Sequence, residues 1–249
     1  YENRHNDVTW NRENVEAVVA YRHVIRPDVS DVSVRGSVSK IWGHRPSYYY
    51  LEGVQTAYSE SGGSPFIASV QADFKQKFKA GMLTAGAKLT YRSNDIYHQF
   101  YEGGEYSDAF SNDLLHTELI PAAYVLFSSK IGKKFTYKAG LRGEFSTVTL
   151  TSSHEGLDVR NNDFFVSPSL SGTLRLAENQ DLSLAFSRRV GRPAYPQLNP
   201  YMSMVDATTY EQGNMHLRPE KSSKLDFSYN FRSRKVQIFA DAYMNYTTD

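Results

Sequence analysis

The chain contains no cysteine, so neither a disulfide framework nor a thiolate metal site can hold it together. It also lacks any run approaching the ~18 apolar residues that a membrane-spanning helix needs. Mean hydropathy is −0.52, which on its own would suit a protein at home in water. Excess charge is missing as well: 28 basic and 27 acidic residues leave +1, no footprint for nucleic acid. The opening Tyr1-Glu2-Asn3-Arg4-His5 has neither the basic start nor the apolar core of a secretory leader. The expectation is a processed chain or a segment of something longer. These absences set aside disulfide scaffolds, helical membrane proteins and nucleic-acid binders. They leave a membrane β-barrel untouched, because half of each barrel strand faces a polar lumen.

What is abundant is tyrosine, at 18, and phenylalanine, at 14, against 5 methionines and 2 tryptophans. Tight polar turns recur at Pro27–Asp31, Lys79–Gly81, Ile131–Lys134, Ala177–Gln180 and Ser233–Arg234, roughly 50 residues apart. Between them lie longer stretches, Gly43–Pro65, Ser93–Leu115, Thr151–Asp163 and Gly191–Lys221, which are expected as loops. Short turns on one side and long loops on the other mark an up-and-down barrel of the outer membrane.

The flanking runs alternate with period two, the strand signature. In Phe66–Phe78 the even row is Phe66, Ala68, Val70, Ala72, Phe74, Gln76 and Phe78, opposed by Ser69, Gln71, Asp73, Lys75 and Lys77. Leu83, Ala85, Ala87, Leu89 and Tyr91 form the next apolar row, opposed by Thr84, Lys88, Thr90 and Arg92. Phe135, Tyr137, Ala139, Leu141 and Phe145 oppose Lys138, Arg142 and Glu144, and the later runs repeat the pattern. Twelve residues at ~3.3 Å span about 40 Å, enough to cross an apolar band at a ~40° tilt. Aromatics gather at the run ends, as interfacial girdles require. Phe74, Phe78, Phe135, Tyr137, Tyr229 and Phe231 lie near the turns, with Trp42, Tyr91 and Phe164 near the loops.

Two stretches fit less well. Glu118–Ser128 is apolar on both parities and contains Pro121, which suggests packing against something inside the barrel. Tyr1–Glu13 shows no period. About ten runs can be counted, and their long loops are heavy decoration for so narrow a closed barrel. The expected fold is all-β, a transmembrane antiparallel up-and-down barrel segment. Residues 1–249 form one partial barrel domain.

Ser187-Arg188-Arg189 leads into Arg192-Pro193, Leu198-Asn199-Pro200, Asp206, Tyr210, Gly213-Asn214 and Leu217-Arg218-Pro219-Glu220-Lys221-Ser222. This text resembles the barrel of TonB-dependent receptors, most nearly the outer-membrane β-barrel family of Bacteroidetes type. Ala139–Glu144, followed by a run from Phe164, is similar to that family too. Met215 departs from it, standing where the family usually has proline. No plug domain or TonB-contacting box is seen. The resemblance implies a 22-strand barrel in the outer membrane of a Gram-negative bacterium, with this chain as its middle. It also implies uptake of a siderophore, glycan or peptide, driven through a plug by the TonB–ExbB–ExbD complex. A structural or partner-binding barrel in a secretion or surface-lipoprotein complex is the alternative.

Taken physically, Pro193 and Pro219 stiffen the ends of a long loop, and Gly213-Asn214 is a turn pair that tolerates positive φ. Arg188, Arg189, Arg218 and Glu220 are candidates for rim ion pairs, and Asn199-Pro200 lies between them. Asp73, Lys75, Lys88, Arg142, Glu144, Arg175, Asp226 and Asp241 are expected to face the lumen, holding a plug or lining a path. Tyr97, Phe100, Tyr101 and Tyr106 stand among acids, with Tyr48 and Tyr49 in the neighbouring stretch, and suit a sugar, peptide or cation. Aromatic packing at the membrane rim is the plainer reading of that cluster. Gly62-Gly63 and Gly103-Gly104 read as loop hinges. The seven histidines show no metal-ligand spacing and no nucleophile elbow occurs, so no metal, cofactor or catalysis is expected.

Overall fold

A computed structural model describes residues 3–152, 158–201, 203–204 and 209–248. His154 and Asp206 lie outside these described residues. Thirteen strands make one antiparallel sheet. They are β1 (Arg4–Val8), β2 (Asn11–Arg26), β3 (Ser30–Leu51), β4 (Val54–Gly63), β5 (Phe66–Phe78), β6 (Gly81–Glu102), β7 (Glu105–Tyr106), β8 (Asn112–Ile131), β9 (Phe135–Ser152), β10 (Val159–Ala177) and β11 (Gln180–Gly191). After a long connection with a short helix α1 (Tyr195–Leu198) and a two-stranded piece of β12 (Ser203–Met204) and β13 (Tyr210–Glu211), β14 (Glu220–Arg232) and β15 (Gln237–Thr248) complete the sheet.

β1 and β2 both pair with β3, β4 and β5 both bridge β3 to β6, and β7 with β8 both pair with β6. The sheet is therefore ten strands wide, as the run count predicts. All five expected tight turns are present. Asp28 (φ 58°) and Gly132 (φ 61°) take the left-handed backbone that two of these turns need.

Register fixes the faces, because directly paired residues point the same way. Phe74↔Ala85, Ala85↔Val125, Val125↔Leu141 and Leu141↔Pro168 run across one face. Leu170↔Phe186, Phe186↔Leu225 and Leu225↔Met244 continue it, an unbroken apolar band for lipid. Phe66 meets Tyr91 at 6.3 Å at one rim, and Phe127 meets Tyr137 at 6.2 Å at the other. The reverse face carries Gln71, Lys88, Arg142, Ser169, Asp226 and their paired neighbours.

Three of the stretches expected as loops need correction. β3 and β6 each run for 22 residues, so Gly43–Pro65 and Ser93–Leu115 are mostly paired hairpin. β9 and β10 likewise extend over most of what is described of Thr151–Asp163. Of Tyr1–Glu13, the described residues 3–13 give β1 and the start of β2. Beyond the lipid both faces of a strand meet water, so hydrophobic alternation fades while the ladder continues. Gly62-Gly63 is strand rather than hinge, and Gly62 leaves room for the Tyr97 ring, 2.5 Å from where a Cβ would sit. Gly103-Gly104 does form a turn, with φ of 57° and 92°.

Candidate functional site

The polar face carries all eight residues expected to face the lumen. Asp73, Lys75, Lys88, Arg142, Glu144, Arg175, Asp226 and Asp241 share it by register. Four of these strands hold a continuous charged array. On β5, Gln71 Nε2 donates to Asp73 Oδ2 at 2.9 Å and to Tyr124 Oη at 2.8 Å, and Tyr124 Oη donates to Asp73 Oδ1. The Arg142 guanidinium lies 5.5 Å over the Tyr124 ring, and its Nε donates to Glu144 Oε1 at 2.6 Å. Arg92 Nη1 donates to Glu118 Oε2 at 3.0 Å.

Arg192, from the β11–β14 loop, joins the two halves. Its Nη2 donates to Glu144 Oε2 at 2.8 Å, and its Nε makes an ionic contact of 2.8 Å with Glu118 Oε1 without the alignment of a hydrogen bond. Glu118 is only 3% exposed, and Arg92 and Arg192 flank its carboxylate. The apolar stretch of β8 has its explanation here. Glu118, Ile120 and Ala122 are buried on the polar face, in the region to which Arg192 descends.

The loop therefore folds inward. Leu198 and Met215 pack against Leu114 and Leu150, each 1% exposed, with Val159 and Tyr195 beside them. Met215, the departure from the family text, is thus an apolar anchor. Gly213 serves a close approach rather than a positive φ. A Cβ there would sit 2.5 Å from Gln197 O and 2.6 Å from Pro196 O, and its N–H donates to Asn199 O at 2.7 Å. Asn214 N–H donates to Gln197 O at 2.7 Å, and Asn214 Oδ1 accepts from His216 N–H at 2.9 Å. Asn199 Oδ1 accepts from Tyr201 N–H at 3.2 Å, and Pro200 O accepts from Gln212 Nε2 at 2.7 Å.

Pro193 and Pro219 line a cavity of about 220 Å³ between loop and wall. Of the expected rim ion pairs, Arg218 meets Asp163 at 3.3 Å. Among the described residues Arg188, Arg189 and Glu220 make no ion pair. Arg192, which does most of the anchoring, carries no sequence signal beyond the proline that follows it.

The aromatic candidates divide by parity. Tyr49 and Phe100 point to the inner side, buried at a 6.0 Å ring separation. Tyr48, Tyr101 and Tyr106 stand on the outer side in a ladder of Tyr48–Tyr58 (5.0 Å), Tyr58–Tyr101 (5.9 Å) and Tyr101–Tyr106 (5.6 Å). Tyr97 is also on that side, with its Oη 3.4 Å from His44 Nδ1. The structure thus joins the two aromatic stretches but does not gather all six into one pocket.

Above the apolar band, burial and then the Arg45 charge hold the His98 imidazole below its ordinary range. Burial, followed by neighbouring Tyr201, pushes the Tyr195 phenol up. Among the described residues no cluster of three or more His, Asp or Glu could hold a metal ion.

The model of the outer membrane protein beta-barrel family matches residues 35–249. No curated protein matches the sequence. Among solved structures, the ferric-catecholate import receptor Fiu from E. coli K12 has a TM-score of 0.71 at 11% identity, over 96% of this chain and 41% of that one. The copper transporter OprC gives 0.68 at 15% identity, over 97% and 40%. The unliganded ferric citrate transporter FecA gives 0.67 at 14% identity, over 89% and 32%. This chain spans about a third to two fifths of those proteins, and at such identities the likeness is one of fold. An apolar band crossed by ten strand positions, a charged reverse face and the family match agree: the chain belongs to the outer membrane protein beta-barrel family and lies in the outer membrane.

Proposed function

We propose that the chain forms part of the wall of a TonB-dependent transporter of Bacteroidetes type that takes up a nutrient ligand, a siderophore, glycan or peptide. The observation that carries this reading is the array Arg92–Glu118–Arg192–Glu144–Arg142. Charged groups sit on the face turned from lipid, with a long loop drawn down onto them. Polar lining of this kind suits a path for hydrophilic cargo. The uptake roles in the names of the similar structures support the same reading.

In this reading the loop end faces outside, the tight turns face the periplasm, and the polar row holds a plug domain. The TonB–ExbB–ExbD complex moves that plug, and no covalent catalysis takes place. The edges at β2 and β15 pair with further strands in a closed barrel of 22, since unpaired backbone is not stable in lipid. Ligand uptake by cells carrying the full-length protein tests the proposal. Uptake should stop when TonB is deleted, and uptake that continues unchanged would refute it.

A second reading, a partner-binding barrel, has its own observation in the outer tyrosine ladder, which faces away from the lumen on the projecting hairpins. A surface lipoprotein or other envelope subunit docked there would co-purify with the full-length protein, and Tyr58→Ala with Tyr101→Ala should release it.

A further inference from the structure

The lipid face of the sheet carries a groove of about 540 Å³ near the tight turns, lined almost wholly by apolar side chains. Register explains it. The row Tyr137–Gly172–Leu184–Phe227 sets a glycine between bulky neighbours, and Leu174 and Leu170 stand below and above it on β10. The floor at Gly172 is therefore bare backbone, and the Phe135 ring leans to within 3.0 Å of where a Cβ would sit. The strands around the groove are paired on both sides, so no further strand of a larger barrel can cover it. From Leu174 to Leu170 the wall rises about 10 Å, at ~3.3 Å per residue and ~40° tilt. That is less than half of the ~25 Å apolar band, so the groove opens to the leaflet at the turn end.

Charge is sorted toward the same end. The five tight turns and their flanks, 26–31, 75–81, 130–134, 175–181 and 232–235, hold eleven basic side chains against four acidic, in a chain whose totals are 28 and 27. Gly132-Lys133-Lys134 joins Ile131 to Phe135, which both line the groove, and so puts two lysines at its mouth. Lys133 and Lys134 are exposed and, among the described residues, make no ion pair. The same holds for Arg232, Arg234 and Lys235 around the β14–β15 turn. Of the two acids at the β10–β11 turn, Glu178 and Asp181, the second is held by Arg175 at 3.5 Å. An apolar slot one leaflet deep with cations at its mouth matches a ligand with an anionic head and a long hydrocarbon tail. Basic clusters beside a bilayer attract lipids of that kind.

We propose that this groove holds one acyl chain of an anionic phospholipid, with the lipid phosphate seated on Lys133 and Lys134. It is a specific site within the general lipid contact of the wall. The proposal takes from the transport reading only its orientation, which makes the lipid one of the periplasmic leaflet. Its failure leaves the uptake test untouched, and failed uptake leaves the site standing.

Native mass spectrometry of the full-length protein in micelles tests the site. The probe is dioleoyl-phosphatidylglycerol. Dioleoyl-phosphatidylcholine supplies the same chains without net charge, and glycerol 3-phosphate an anionic head without chains. One phosphatidylglycerol should bind about tenfold more tightly than phosphatidylcholine, and glycerol 3-phosphate should not displace it. Lys133→Ala with Lys134→Ala should erase that preference. Gly172→Leu, which fills the floor, should weaken both lipids about fivefold or more. Arg26→Ala, on the distant β2–β3 turn, should change neither. Heat-modifiable gel migration checks that each variant is folded, and the lysine pair keeps the test decisive if Gly172→Leu is not. Equal retention of the two lipids, a preference that survives loss of both lysines, or displacement by glycerol 3-phosphate would overturn the proposal. So would binding indifferent to a folded Gly172→Leu, or losses matched by Arg26→Ala. A dimer that Gly172→Leu dissociates would overturn it too, since a second copy would then be the occupant.

Discussion

Arg192 is the residue on which the loop's position turns. It meets two carboxylates from adjacent strands, one of them almost wholly buried. Arg192→Met takes one of two arginines from each acid, Glu118 keeping Arg92 and Glu144 keeping Arg142, and should cost about 1.5–3 kcal/mol of loop docking. Hydrogen exchange should show Gln197 and Asn214, whose amides bond within the loop, losing protection while β9 keeps its own. Gly213→Ala forces a methyl group toward the Pro196–Gln197 backbone and should cost about 1–3 kcal/mol, read as faster proteolysis within residues 192–219. His98 adds a pH dependence. Its folded pKa is depressed, so the opened segment takes up a proton where the closed one does not. The docked arrangement is fully stable above pH ~6.5 and weakens as pH falls through the lowered value. Protection factors at Asn112, corrected for intrinsic exchange, should therefore drop as pH falls below about 6.5.

At the scale of the strand, the two faces predict opposite tolerance. Leu141→Arg puts a cation on the lipid side midway along β9 and should cost about 2–4 kcal/mol of folding in bilayers. Ser183→Arg sits on the polar side between Thr173 and Ser228 and should cost about 1 kcal/mol, the hydroxyl pair with Thr173 being lost. A urea titration in lipid vesicles reads both. The sequence shows these faces wherever one side meets lipid, as parity in Phe66–Phe78 and Lys235–Tyr246 demonstrates. It does not show the upper strands, because Tyr48-Tyr49-Tyr50 places aromatics on both sides and gives no period. Nor does it show the loop's direction. Arg192 finds Glu118 and Glu144 only once β8 and β9 are paired, and the lone apolar Met215 gives no hint of Leu114 and Leu150.

For the whole molecule, the sheet leaves one side of β2 and one side of β15 without partners among the described residues. In the full-length protein in bilayers, the amides of β15 should exchange as slowly as those of β14. Fast exchange along β15 would mean that the edge stays open, contrary to a closed barrel. Strand length has a separate consequence. At about 3.3 Å per residue and a tilt near 40°, the 22 residues of β3 rise about 55 Å, roughly twice the ~25 Å apolar band. At β3 and β6, each 22 residues long, about half of the wall therefore stands clear of the apolar band like a chimney, while β11, β14 and β15, at 12 or 13 residues, barely exceed it. Cargo too bulky to reach the lipid surface still meets the rim, and an antibody raised against Glu52 or Gly104 at its top should label intact cells without first displacing the surrounding lipid.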